Sequence, residues 1–227
     1  MVFSLIGIFY SSVSIYDIVN QYQVSAHKYH EIEQGYNRNN DAKNGFNDLL
    51  SLNPDSVGWL EINNTKINYP VVKGDDNNYY LSSNFYGEED PAGSIFMDYR
   101  NQLDELDKNL ILYGHNMKDG SMFGTLKQYL DQVYFTEHSF IDFNSSNTAY
   151  TWEVFSAYET ADVDWMQTSF NDLDKYDVFL DKIRNLSMLE SETIVSSEDY
   201  ILTLATCTTS DEKRFVIHAK LITKEGL

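Results

Sequence analysis

The sequence predicts a mostly β domain, a sandwich or barrel of eight strands, with helices before it and one helix inserted late in the chain. Three observations predict this. From Ser56 onward the chain breaks into short apolar runs of strand length separated by turn residues. A proline at position 54 divides that pattern from a polar, Asn- and Tyr-rich stretch before it. Between the sixth and seventh runs, Tyr176, Phe179, Leu180 and Ile183 recur at i, i+3, i+4 and i+7, the spacing of one helical face.

Taken in order, residues 1–19 are mostly apolar and carry no charge before Asp17. They are read as an N-terminal membrane anchor, with a short signal-like stretch or a core helix as alternatives. The segment is short of the roughly 20 apolar residues a spanning helix needs, and no basic residue precedes Lys28. Residues 20–55 form a polar extension with helices, ending in the apolar cluster Phe46, Leu49 and Leu50. The catalytic domain is assigned to 56–227. Its expected strands are Val57–Ile62, Ile67–Val72, Ser94–Tyr99, Asn109–Tyr113, Phe140–Phe143, Tyr150–Tyr158, Tyr200–Thr206 and Phe215–Ile222. Short helices are expected over Asn77–Phe85 and Met122–Leu130, and the late helical stripe is read as core packing.

Composition narrows the function. Sixteen Lys and Arg against 35 Asp and Glu give a net charge of -19, a field that repels phosphate backbones, so nucleic acid is not an expected partner. A single cysteine excludes an intrachain disulfide and a cysteine-rich metal site. The chain has no phosphate-binding loop, dinucleotide fingerprint, zinc-binding His-Glu-x-x-His or Gly-x-Ser-x-Gly elbow, and no cofactor or metal is expected. The carboxylate runs at Asp75-Asp76 and Glu88-Glu89-Asp90 read as solvated loops.

A lone cysteine is by default a small buried residue. Cys207, however, ends the aliphatic run Ile201–Thr206 and is followed at once by a polar loop, a strand-end placement suited to reaction. An ordinary thiol is only slightly ionised at neutral pH and needs a base or cation beside it. Of five histidines, His27 and His30 lie outside the strand region, and His138 sits in an expected loop. His218 lies within the last strand and reads as a satisfied core or surface residue. His115 ends the fourth run after a glycine, in Tyr113-Gly114-His115-Asn116, presented by a flexible turn. Arg214 opens the last strand seven residues after Cys207, where a hairpin brings both to neighbouring strand ends and a guanidinium stabilises negative charge on a carbonyl oxygen.

The run Thr203-Leu204-Ala205-Thr206-Cys207, with His115 upstream and Arg214 downstream, resembles the signature of the sortase family. Asn68-Tyr69-Pro70-Val71-Val72, the stretch Gly93–Asn101 and the helical segment from Asp172 to about Leu186 are similar to its class B branch. The resemblance covers Ser56–Ile222. It implies an eight-stranded β-barrel transpeptidase with N-terminal helices and a helix inserted between strands 6 and 7. Such an enzyme is anchored in a Gram-positive membrane with its catalytic domain outside. It implies cleavage of surface proteins after the Thr of a C-terminal sorting motif, through a thioester, and transfer to an amine of a peptidoglycan precursor. In it Cys207 is the nucleophile, His115 the acid and base, and Arg214 the carbonyl or oxyanion partner. Substrate contacts implied by the same resemblance are Asn77, Leu81, Trp165, Met166, Ala205, Thr206 and Thr208. Ala205 departs from the pattern, since many class B members carry Ser there. Alternatives are a pilin-polymerising or hydrolytic sortase, and a non-catalytic wall-binding module on the same barrel.

Overall fold

The computed structural model describes residues 2–38, 42–207 and 213–226. The break at Asn53-Pro54 separates two helices, α1 (Val2–Arg38) and α2 (Ala42–Leu52), from a closed barrel. The barrel strands are β1 (Ser56–Glu61), β2 (Asn68–Val72), β3 (Ile95–Met97), β4 (Asn109–His115), β5 (Phe140–Asn144), β6 (Thr148–Thr160), β7 (Ile201–Cys207) and β8 (Arg214–Gly226). Around the barrel they run β1-β2-β3-β4-β7-β8-β6-β5, with β1 pairing β5 to close it. All pairs are antiparallel except β2 with β3 and β4 with β7. Buried residues such as Trp59, Phe96, Phe143, Trp152 and Phe215 fill the core. Closure leaves no sheet edge to protect.

The inserted helix α4 (Leu173–Asn185) lies between β6 and β7. Asp172 caps it by accepting from the Asp174 backbone N–H, and Tyr176, Phe179, Leu180 and Ile183 are all buried. A short helix α3 (Gln132–Glu137), capped by Asp131, precedes β5 and was not anticipated. Two expected helices shrink to short 3-10 helices, Tyr79–Leu81 and Leu126–Leu130. In the second, Met122 takes φ 50°, a left-handed conformation that stops a helix from starting there.

Helix α1 is continuous through residues 19 and 20. Its later half is fastened to the barrel: Tyr36 stacks on Trp59 at 4.2 Å, the Tyr29 hydroxyl donates to the Gly93 carbonyl at 2.7 Å, and Asn68 donates to Glu33 at 2.7 Å. Its earlier half leaves Phe9, Tyr10, Ile15 and Tyr16 exposed. Among the described residues no helix is long and apolar enough to cross a membrane.

Candidate active site

The site follows from the one parallel pairing at the centre of the sheet order. β4 and β7 run side by side in unbroken register from Asn109 with Ile201 to His115 with Cys207, so both strands stop at the same level. Neighbouring strands lie about 4.8 Å apart, which brings the backbones of His115 and Cys207 together although 91 residues separate them. β8 lies on the other side of β7. There Ala205 pairs with Val216, and continuing that antiparallel register by two residues sets Arg214 across from Cys207. The half-buried Arg214 guanidinium donates to the Thr206 carbonyl at 3.3 Å, which holds it at the strand end. Three expected residues from separate parts of the chain thus meet on one rim of the barrel.

His115 is half-buried, and its Nε2 lies 2.6 Å from the Leu81 carbonyl oxygen. A carbonyl only accepts, so Nε2 carries the proton and Nδ1 is the nitrogen left to take or give another. Gly114 serves this position by being small rather than by flexing. It lies within β4, and a Cβ there would meet Ile95 Cδ1 at 2.5 Å and the Phe123 ring at 2.9 Å. Behind it, the Phe123 N–H donates to the His115 carbonyl at 2.9 Å and folds the following loop back onto the strand.

The expected substrate contacts separate into two kinds. Asn77, Leu81 and Met166 are half-buried: Leu81 offers its carbonyl to His115 at the strand end, Asn77 donates to Asp98 at 3.0 Å, and the Met166 carbonyl accepts from Arg100 at 2.9 Å. Trp165, Ala205 and Thr206 are buried. The Trp165 indole donates to the Asp162 carbonyl at 2.8 Å and its ring meets Tyr113 edge-on, while the Thr206 hydroxyl accepts from the Phe215 N–H at 2.9 Å. Thr208 lies outside the described residues.

Sequence reasoning assigned no role to Asp98, Arg100 or Tyr113. Asp98 is fully buried just past β3, and its carboxylate accepts from Arg100, Tyr113 and Asn77. Burial alone would lift its pKa, but these donors outweigh burial and hold it below the usual carboxylate range. The available signal was an acid and a base two residues apart at the end of an apolar strand.

A closed eight-stranded barrel with Cys, His and Arg on three adjoining strand ends defines a class of protein, the β-barrel cysteine transpeptidases. The family model described as the sortase domain matches residues 60–222, and the chain belongs to the sortase family, in its class B branch. It is 44% identical to sortase B of Listeria monocytogenes over 83% of this chain and 78% of that protein. Among solved structures it is similar to a Staphylococcus aureus sortase B–substrate complex, with TM-score 0.84 and 36% identity over 88% of this chain and 97% of that one. A sortase B from B. anthracis superposes with TM-score 0.85 and 38% identity, covering 90% and 99%. The protein is a sortase transpeptidase that acts on sorting-motif substrates and anchors surface proteins.

Proposed function

We propose that Cys207, His115 and Arg214 carry this transpeptidation. The observation that supports it is the in-register end of β4 and β7, which pairs His115 with Cys207 while Arg214 opens the adjoining strand. The Cys207 thiol gives its proton to His115, and the sulfur attacks the carbonyl carbon of the motif Thr. Negative charge gathers on the carbonyl oxygen, where the Arg214 guanidinium stabilises it. As the tetrahedral centre collapses, the C–N bond breaks and His115 returns the proton to the leaving amine, leaving a thioester on Cys207. An acceptor amine then attacks the thioester. His115 takes its proton, the Cys207 sulfur departs, and a new amide joins the surface protein to the acceptor.

The peptide lies between Asn77, Leu81 and the Trp165–Met166 turn, with Ala205, Thr206 and Thr208 flanking the nucleophile. The acceptor is an amine of a peptidoglycan precursor, and the enzyme works at the surface of a Gram-positive cell. Segment 1–19 is the part that meets the membrane, and the exposed Phe9, Tyr10, Ile15 and Tyr16 suit that contact. The compact unit is 56–227, with 20–55 as a helical extension packed on it.

A panel of Thr-containing sorting peptides, each incubated with the protein and a set of amines, tests this reading by product mass. The expected product is the N-terminal peptide half joined to an amine, absent with Cys207→Ala. Free acid alone identifies a hydrolytic enzyme, and preferential transfer to a lysine side chain a pilin-polymerising one. Cleavage that survives Cys207→Ala overturns the assignment.

A further inference from the structure

Asp98 receives five hydrogen bonds from three segments of the chain. Its Oδ1 accepts from the Arg100 backbone N–H at 3.0 Å and from Arg100 Nε at 2.8 Å. Its Oδ2 accepts from Arg100 Nη2 at 2.7 Å, the Tyr113 hydroxyl at 2.8 Å and Asn77 Nδ2 at 3.0 Å. Asn77 in turn accepts the Tyr99 N–H on its own carbonyl at 3.0 Å. Arg100 Nη2, already on the carboxylate, reaches past it to the Met166 carbonyl at 2.9 Å. The network therefore joins the turn after β2, β4 two residues before His115 and, through the Arg100 N–H that donates to the Met166 carbonyl, the turn after β6. The turn after β2 runs on to Leu81, whose carbonyl meets His115 at the rim.

A buried carboxylate used only to hold a barrel together would bond to barrel strands, yet four of these five bonds go to groups outside them. Arg100 suits a spacer: its planar fork grips Asp98 with two nitrogens and still presents an N–H to Met166, which a lysine ammonium at the end of a flexible stem does not reproduce. The Trp165–Met166 turn is also held from its far side, where Asn109 Nδ2 donates to the Trp165 and Gln167 carbonyls at 3.0 and 2.8 Å. Loss of the Arg100 bond thus shifts this wall without releasing it.

We propose that Arg100, anchored on Asp98, is a positioning residue that sets peptide selectivity by fixing the spacing between the Asn77 turn and the Trp165–Met166 turn. This rests on the reading of those turns as the walls of the peptide groove. Arg100 touches no reacting atom, and its side chain is 38% exposed, so it tolerates replacement.

The test uses the full chain and the best peptide from the panel, together with a series varied at the residue before Thr. Arg100→Lys and Arg100→Gln are compared with Asn77→Ala and Met166→Ala for kcat and KM. Iodoacetamide labelling of Cys207 and thermal midpoints report the nucleophile and the fold. Both Arg100 variants are expected to lower the selectivity ratio between best and varied peptides by about tenfold, the scale of one altered pocket contact. The change enters through KM, with labelling of Cys207 unchanged. An equal fall for every peptide, or no change, while Asn77→Ala or Met166→Ala does alter selectivity, overturns the proposal and leaves the groove standing. If Asn77→Ala and Met166→Ala leave KM unchanged for every peptide, the groove reading falls and the proposal falls with it.

Discussion

His115 and His218 lie on β4 and β8, with only β7 between them, and they occupy opposite chemical situations. His218 has no exposed surface. Its Nδ1 lies 2.8 Å from the Thr203 hydroxyl and its Nε2 2.9 Å from the Tyr158 hydroxyl, and Thr203 donates onward to Asn109 at 2.6 Å. Both ring nitrogens are used, and burial pushes its pKa down to about 3, so it stays neutral. His115 is half-buried, fixes one nitrogen on a backbone carbonyl and sits at the strand end beside the cysteine. Residue type and strand membership are shared. In the proposed mechanism, what separates acid–base chemistry from core packing is access and a second nitrogen that, among the described residues, is not committed to a partner.

Four experiments press on that contrast. Replacing His115 with Ala is expected to lower kcat/KM by about three orders of magnitude, within the range for removing a general acid and base, with the thermal midpoint nearly unchanged. Steady-state peptide cleavage beside a melting curve checks both halves. Arg214→Lys keeps the charge but loses the planar fork, and a drop of about 100-fold in kcat is expected, as for removal of one oxyanion donor. A loss confined to KM would instead make Arg214 a binding residue. Gly114→Ala drives a Cβ into Ile95 and Phe123, and overpacking of this kind costs about 1–3 kcal/mol in urea unfolding. Activity should fall by more than the lost folded fraction, because the residue carrying the clash adjoins His115.

The smallest effect belongs to His218. Its folded pKa of about 3 lies below the ordinary 6.5, so as pH falls the unfolded chain takes up the proton first. The stability it contributes is fully present above pH 6.5 and declines by about 1.4 kcal/mol per pH unit as pH falls toward 3. Urea midpoints at several pH values should therefore show a shallower acid slope for His218→Gln than for the wild type, with turnover per folded molecule retained. Equal slopes would mean that His218 protonates in the folded protein as it does in the unfolded chain.

Much of this was legible beforehand, for identifiable reasons. Each strand core is an apolar run closed by turn residues, and the spacing of Tyr176, Phe179, Leu180 and Ile183 fixes one buried face of α4. The far ends of β6 and β8 were cut short because they pair with each other through polar residues, Thr148 with Gly226 and Tyr150 with Lys224, where no apolar signal marks a strand. The parallel partnership of β4 and β7 joins distant segments and leaves no local trace. Gly114 suggested a flexible turn because glycine permits unusual backbone angles, yet its neighbours require only the missing Cβ. Asp98 and Arg100 passed without a role because their meaning depends on Asn77, Tyr113 and Met166, which no spacing rule connects to them.

The most direct test of the central claim, that Cys207 carries the peptide as a thioester, is product mass in the presence of hydroxylamine for the wild type and Cys207→Ala. The wild type is expected to release the N-terminal peptide half as a hydroxamate, since hydroxylamine intercepts a thioester, and Cys207→Ala is expected to release nothing. Wild-type cleavage that gives only free acid under saturating hydroxylamine, or hydroxamate formed by Cys207→Ala, would contradict it.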